Sequence, residues 1–222
     1  MKDAACFGDP KTNNIMKIVF EGDSITDAGR DRSNPHDMGE GYPRFASAML
    51  QDSYPDTEFE FINMGISGDR TEQLVARVEE LVAHEPDIVV LLIGVNDVWV
   101  RYTQGLVVTD EAFEQNYRTV LSAIKEKTAA KILMLQPFLL NVDDKESMRG
   151  ELFKKQAICQ ALADEYADAY VALDDLLRSQ PEDPEVYAYD GVHPTADGAC
   201  LIGEACLHAM DAMIRAVESS ED

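Results

Sequence analysis

The stretch "DIVVLLIG", residues 87–94, decides the fold. Between Asp87 and Gly94 the chain is continuously apolar, with no polar residue at every second position. A strand with one wet face would alternate. An unbroken run of Ile, Val and Leu, too short for a core helix, reads as a strand covered on both faces. A parallel sheet with helices above and below provides that environment.

Working outward, four more runs fit the same sheet. "IMKIVFEG" (15–22) is a short β-rich run, and "TEFEFINMG" (57–65) alternates Phe59 and Phe61 with acids. "AKILMLQPF" (130–138) and "AYVALDD" (169–175) supply the fourth and fifth strands. Between them lie helical segments at 41–55, 70–86, 109–128, 146–167 and 194–218. The segment 70–86 shows its pattern in Leu74, Val75, Val78, Leu81 and Val82. Segment 109–128 has acids near its start and lysines near its end, which complements the helix dipole. Strands alternating with helices imply an α/β fold: a three-layer sandwich around a mainly parallel five-stranded sheet. Residues 1–14 read as a polar, flexible lead-in, and 15–218 as a single domain.

With 222 residues and 45% hydrophobic content, the chain can bury a substantial core without disulfides. Its formal net charge of −23 argues against nucleic acid and anionic membrane surfaces as partners, and favours a neutral substrate. Cys6, Cys159, Cys200 and Cys206 form no C-x-x-C and suggest no zinc site, so free thiols are expected. The N-terminus lacks the apolar core of a signal peptide, and no run approaches a membrane span. A soluble, cytoplasmic protein is the expectation.

Ligands of parallel α/β sheets bind beyond the carboxyl ends of the strands. The residues that follow the strands are therefore the informative ones. "GDSIT" follows the first strand, "NMGISGDRT" the second, "GVNDVW" the third and "QPF" the fourth; a longer loop after the fifth leads to "YDGVHPTADG". Ser24 in the first motif either caps the following helix or stands exposed as a nucleophile. A serine nucleophile needs a base, and the base needs an acceptor to orient it. His193 and Asp190, three residues apart at a turn, have that spacing, although a lone D-x-x-H is as easily a turn cap. Acyl transfer also needs N–H donors for a developing oxyanion. Asn96 offers an uncharged side-chain donor, Gly68 a closely approachable backbone N–H, and Ser24 its own N–H. The competing reading makes Gly68 and Asn96 turn residues. Ser24 does not sit in G-x-S-x-G.

The ordered set, Ser24 in "GDSIT", Gly68 in "NMGISGDRT", Asn96 in "GVNDVW", and Asp190 with His193 in "DGVHPT", resembles the SGNH hydrolases, or GDSL esterases and lipases. The first motif reads GDSI where the family name has GDSL, one apolar residue for another. The resemblance implies a flavodoxin-like sandwich and a serine esterase. In that esterase Ser24 is the nucleophile, His193 the base and Asp190 its orienter. Ser24 N–H, Gly68 N–H and the Asn96 side chain form the oxyanion hole. "GDSITDAGR", "GISGDRT", "GVNDVW" with Tyr102 beyond it, and "QPF" further resemble the cytoplasmic acetylxylan esterases of bacteria. This implies a small acylated substrate, an acetylated xylo-oligosaccharide or related carbohydrate, and a homo-oligomer.

Around these residues, Asp23, Trp99, Tyr102 and Phe138 are the candidate substrate contacts, Trp99 and Phe138 with core packing as the alternative. Arg30 and Arg70 lie near the motifs and are expected to pair with carboxylates. His36, His84 and His208 match no motif. No metal and no cofactor are expected. A thioesterase or lysophospholipase of the same superfamily is one alternative. A nucleotide- or flavin-binding module is another, but "GDSITDAG" carries neither dinucleotide nor P-loop glycines.

Overall fold

The computed structural model describes residues 15–142 and 145–219; the proposed lead-in 1–14 lies outside them. Five strands join one sheet: β1 (Met16–Gly22), β2 (Phe59–Asn63), β3 (Ile88–Leu92), β4 (Lys131–Leu135) and β5 (Ala169–Val171). Their spatial order is β2-β1-β3-β4-β5 and every pairing is parallel. β3 lies at the centre, as its sequence demands.

Successive residues of β3 enter opposite cores. Ile88, Val90 and Leu92 pack on one side with Ala46 and Leu50 of α2 (Tyr42–Ser53) and Ile202, Cys206 and Met210 of α9 (Ala196–Ser219). Val89 and Leu91 pack on the other side. Their partners there are Leu74 and Val78 of α3 (Thr71–Ala83), Val120 and Ile124 of α5 (Asp110–Lys127), and Leu162 of α6 (Arg149–Tyr166). Every residue of β3 is buried, so an alternating strand could not have occupied this position.

The five expected helices and five expected strands agree with the sequence pattern to within about four residues, the largest difference falling at the end of β5. β5 stops at Val171 because Leu173 already begins α7 (Leu173–Arg178). The loop expected before "YDGVHP" contains α7 and the short α8 (Pro184–Tyr187). The motif after β3, read as a loop, opens α4 (Val95–Gln104). Gly94, with φ 130°, makes the turn from strand to helix.

Sequence order reverses direction between β1 and β3, since the chain leaves β1 for β2 on one side and crosses back to β3 on the other. The loops after β1 and β3 consequently diverge and leave a crevice at the strand ends. The first and third motifs flank that crevice.

Candidate active site

The site begins where β1 runs out. At Gly22 a Cβ would lie 2.3 Å from the Leu92 carbonyl oxygen and 2.4 Å from Thr26 Oγ1, so only glycine lets β1 and β3 pass here. Asp23 follows and caps the single-turn helix α1 (Ser24–Asp27), accepting Ile25 N–H at 3.0 Å. The sequence reading that made Ser24 a possible cap is thereby corrected. The cap is Asp23, and the Ser24 hydroxyl faces His193 instead, with Oγ 3.0 Å from Nε2.

The other ring nitrogen of His193, Nδ1, lies 2.8 Å from Asp190 Oδ2. Asp190 Oδ1 accepts the backbone N–H groups of Val192 at 3.0 Å and His193 at 2.8 Å. One carboxylate therefore shapes the turn and orients the ring, so both readings of D-x-x-H hold at once. Partial burial pushes the Asp190 carboxyl up, but these hydrogen bonds and the facing imidazole outweigh it and leave the group below the usual carboxylate range. The acceptor is thus held ionised beside Nδ1.

Asn96 lies in the first turn of α4, where its Nδ2 donates to the Asp69 carbonyl at 2.9 Å. That bond fixes the amide plane and leaves the second N–H of the group for a ligand. Gly68 is exposed with φ +87°, and an added Cβ would meet nothing within 4 Å; the backbone conformation, rather than crowding, selects glycine here. The loop carrying it is held at several points. Ile66 N–H donates to Gly22 at 3.1 Å, Ser67 N–H to Asp27 Oδ2 at 2.9 Å, and Arg30 Nε to the Gly65 carbonyl at 3.1 Å. At the loop's far end Asp97 accepts Thr71 N–H at 3.1 Å and Thr71 Oγ1 at 2.7 Å.

Three carboxyls behind the site are buried, and burial pushes each up: Glu21 and Asp23 to about 7, Asp97 to about 6. Hydrogen bonds oppose the shift in each case, joined by Arg77 at Glu21 and by Arg70 and Lys155 at Asp97, without cancelling it.

Ser24, Gly68, Asn96, Trp99 and His193 line one open cleft of about 570 Å³. Trp99 is half-buried, its ring 5.7 Å from that of His193. Tyr189, which the sequence reading passed over, stacks nearly parallel on His193 at 5.8 Å and is 62% exposed. Its place immediately before Asp190 was the available signal. Lys145 Nζ lies 5.5 Å from the Trp99 ring centre and donates to the Asp190 carbonyl at 2.7 Å.

The other three substrate candidates lie elsewhere. Asp23 is buried as a helix cap. Phe138 is fully buried in the core, which absorbs an apolar ring so close to β4. Tyr102 is exposed on α4, but its hydroxyl donates to the Ser147 carbonyl at 2.9 Å, away from Ser24. Of the two arginines, Arg70 pairs with Glu72 at 3.1 Å, whereas Arg30 serves the Gly65 carbonyl. His36 meets the Phe61 carbonyl, His84 caps α3 and His208 is exposed on α9. Cys159, Cys200 and Cys206 are free thiols.

A serine, a histidine and a carboxylate in hydrogen-bonded series, with amide donors across the cleft, can carry acyl transfer. Residues 20–200 match the GDSL-like lipase/acylhydrolase family. The chain belongs to that family. It is a carboxylic ester hydrolase of the SGNH type. It is 30% identical over 209 residues to an acetylxylan esterase of Geobacillus stearothermophilus, covering 89% of this chain and 94% of that one. The crystal structure of Axe2, an acetylxylan esterase from Geobacillus stearothermophilus, superposes with a TM-score of 0.79 at 29% identity, covering 88% of this chain and 94% of the other. A protein of Parabacteroides merdae, provisionally described as a GDSL-like lipase, superposes with a TM-score of 0.84 at 29% identity, covering 89% and 97%. The Geobacillus esterase has also been solved as two catalytic mutants, one replacing a serine and one a histidine by alanine. Among the described residues no helix is long and apolar enough to cross a membrane.

Proposed function

We propose that this SGNH esterase removes short acyl groups, acetyl above all, from hydroxyls of xylo-oligosaccharides or related carbohydrates, with Ser24 as nucleophile. The observation that carries the reading is the series Ser24 Oγ to His193 Nε2 at 3.0 Å and His193 Nδ1 to Asp190 at 2.8 Å. With Nδ1–H donated to Asp190, Nε2 holds the lone pair that accepts the serine proton. Ser24 Oγ attacks the ester carbonyl as that proton moves to Nε2. The carbonyl oxygen gains charge and is held by Ser24 N–H, Gly68 N–H and the second N–H of Asn96. The tetrahedral adduct collapses, His193 returns the proton to the leaving hydroxyl, and an acetyl-serine remains. Water, deprotonated by His193, then releases acetate and restores Ser24.

The carbohydrate half of the proposal is supported by the relative above and by the cleft's own walls. Trp99 lines the cleft, and the exposed Tyr189 stacks on His193; both offer flat apolar faces, the kind of surface that takes a sugar ring. The cleft is open, which suits an oligosaccharide passing across it. A homo-oligomer and a cytoplasmic location belong to the same proposal and rest on the resemblance to the acetylxylan esterases.

Acetate release from acetylated xylo-oligosaccharides, measured beside p-nitrophenyl acetate and octanoate, tests the reading. Release from the sugars that Ser24→Ala abolishes is the expected result. Turnover that survives Ser24→Ala refutes the nucleophile. A preference for octanoate over acetate would transfer the enzyme to the lipolytic or thioesterase branch.

A further inference from the structure

Arg77 sits in the middle of α3, away from the cleft, and is buried. A guanidinium has five N–H bonds. Here four hydrogen bonds and one further ion-pair contact engage it. Nε donates to Asp69 Oδ2 at 2.9 Å. Nη1 donates to Glu21 Oε2 at 2.7 Å and to the Met64 carbonyl at 3.0 Å. Nη2 lies 2.7 Å from Glu21 Oε1 and 3.2 Å from the Gly22 carbonyl.

These acceptors are not one local cluster. Glu21 and Gly22 end β1, two residues before Ser24. Met64 directly follows β2 and starts the loop that bears Gly68. Asp69 is the next residue after Gly68, and its carbonyl is the partner of Asn96. Arg77 therefore binds, through one planar group, the segment that carries the proposed nucleophile and the segment that carries or anchors two of the three oxyanion donors. The loop residue between these anchors, Gly68, is exposed and adopts a left-handed conformation, so it depends on its neighbours for its place.

We propose that Arg77 is a positioning residue for the oxyanion hole: it sets the distance between Ser24 and the Gly68 and Asn96 donors by tying the end of β1, the end of β2 and Asp69 together. The proposal rests on the esterase mechanism above. A buried ion pair contributes little net stability on its own, because desolvation offsets attraction. Pure packing would be served as well by an apolar residue at this helix face. A group that sends four hydrogen bonds to strand ends and to the donor loop fits geometry control instead. Lysine could not substitute, having three donors on one nitrogen and no planar fork.

Two variants test this in the full-length enzyme, with Ser24→Ala as the reference for the chemistry. Arg77→Lys keeps the charge facing Glu21 but loses the fork. Asp69→Ala removes the tether to Nε, and with it one carboxylate facing Glu21 and Asp23, while Glu21 stays paired and the Asp69 carbonyl stays in place for Asn96; it decides the matter should Arg77→Lys fail to fold. For protein verified as folded by circular dichroism, kcat on p-nitrophenyl acetate should fall at least about fivefold, a fraction of the roughly hundredfold or greater cost of deleting a donor. KM should change less than about threefold, since positioning acts on the transition state. Binding of a trifluoromethyl ketone, which forms a tetrahedral oxyanion on the serine, should weaken in step with kcat/KM. The pH midpoint of kcat/KM should stay in place, because His193 and Asp190 are untouched. A folded Asp69→Ala enzyme with kcat within fivefold of wild type, or with unaltered ketone affinity, overturns the proposal and leaves Arg77 a purely structural residue. Turnover that persists in Ser24→Ala is a different failure, that of the esterase mechanism itself.

Discussion

Replacing Asp23 by Asn should make the protein more resistant to unfolding at pH 8 than at pH 4, relative to wild type. Asp23 is 1% exposed, and burial lifts its carboxyl from an ordinary 3.8 to about 7, with Asp97 and Asp69 adding repulsion. Proton counting gives the sign. Between pH 4 and 7 the folded protein holds a proton on Asp23 that the unfolded chain has released. Stability therefore falls as pH rises through this window and levels off above it. The interval from 3.8 to about 7, at about 1.4 kcal/mol per pH unit, amounts to roughly 4 kcal/mol. Asn keeps the cap on Ile25 N–H, since Asn and Asp are comparable N-cap residues. It cannot ionise, so this slope disappears. Any fixed cost of seating the amide N–H groups is the same at both pH values and cancels in the difference. For a domain of this size about 1 kcal/mol moves the melting temperature by roughly 2–4 °C. The gap between variant and wild type should accordingly widen by roughly 8–16 °C from pH 4 to pH 8, read by scanning calorimetry at matched ionic strength. Glu21 and Asp97 titrate in the same window but are present in both proteins. A melting-temperature difference that does not vary with pH would refute the claim that Asp23 is a buried cap whose carboxyl burial lifts to about 7.

Asp190→Asn should lower kcat on p-nitrophenyl acetate by about 10⁴, the scale on which loss of the orienting carboxylate acts in a Ser-His-Asp triad, with thermal stability little altered; a drop under tenfold would show that Asp190 serves only the turn. Asn96→Ala should cost about 10²–10³ in kcat with KM nearly constant, as steady-state kinetics on the same ester will show. Tyr189→Ala should raise KM for acetylated xylo-oligosaccharides about 2–10-fold, the equivalent of one aromatic contact of about 0.5–1.5 kcal/mol, and leave KM for p-nitrophenyl acetate unchanged. Equal effects on both substrates would assign Tyr189 to holding His193 rather than to the sugar.

What the sequence made legible, and what it hid, divides along physical lines. β3 was legible because burial on both faces leaves an unbroken apolar run. The four motifs were legible because a parallel sheet sends every strand end to one edge, so chemistry-bearing residues must cluster just after strands. Helix α4 was missed because "GVNDVW" opens with a glycine and an Asn-Asp pair that read equally as a turn. Only the φ of 130° at Gly94 shows the strand entering a helix directly. Asp23 was misassigned because a carboxylate beside a nucleophile reads as a ligand contact, whereas the one-turn helix needed a cap. Phe138 was ambiguous in kind, since an apolar ring after a strand suits a pocket wall or the core, and the core took it. Arg77 carried a signal that went unread. It falls three residues after Leu74 and four before Leu81, on the buried face of α3, where a charged residue requires a partner.

The charge distribution behind Ser24 links these observations. Glu21, Asp23, Asp69 and Asp97 all lie near the place where the mechanism develops an oxyanion, and four full negative charges there would oppose it. Three of them are buried carboxyls held up toward or near neutrality, Glu21 and Asp23 at about 7 and Asp97 at about 6. Asp69 is bound to Arg77, which also faces Glu21. Asp190, on the Nδ1 side of His193, is the opposite case: hydrogen bonds hold it below the carboxylate range, and in the proposed mechanism its charge stabilises the imidazolium. The same side-chain type is thus pushed toward its neutral form or paired with Arg77 on the oxyanion side and held ionised on the base side, by burial in one place and by N–H donors in the other. Carboxyls that structure the loops can then crowd an acyl-transfer site without quenching it, in a protein whose net charge is −23.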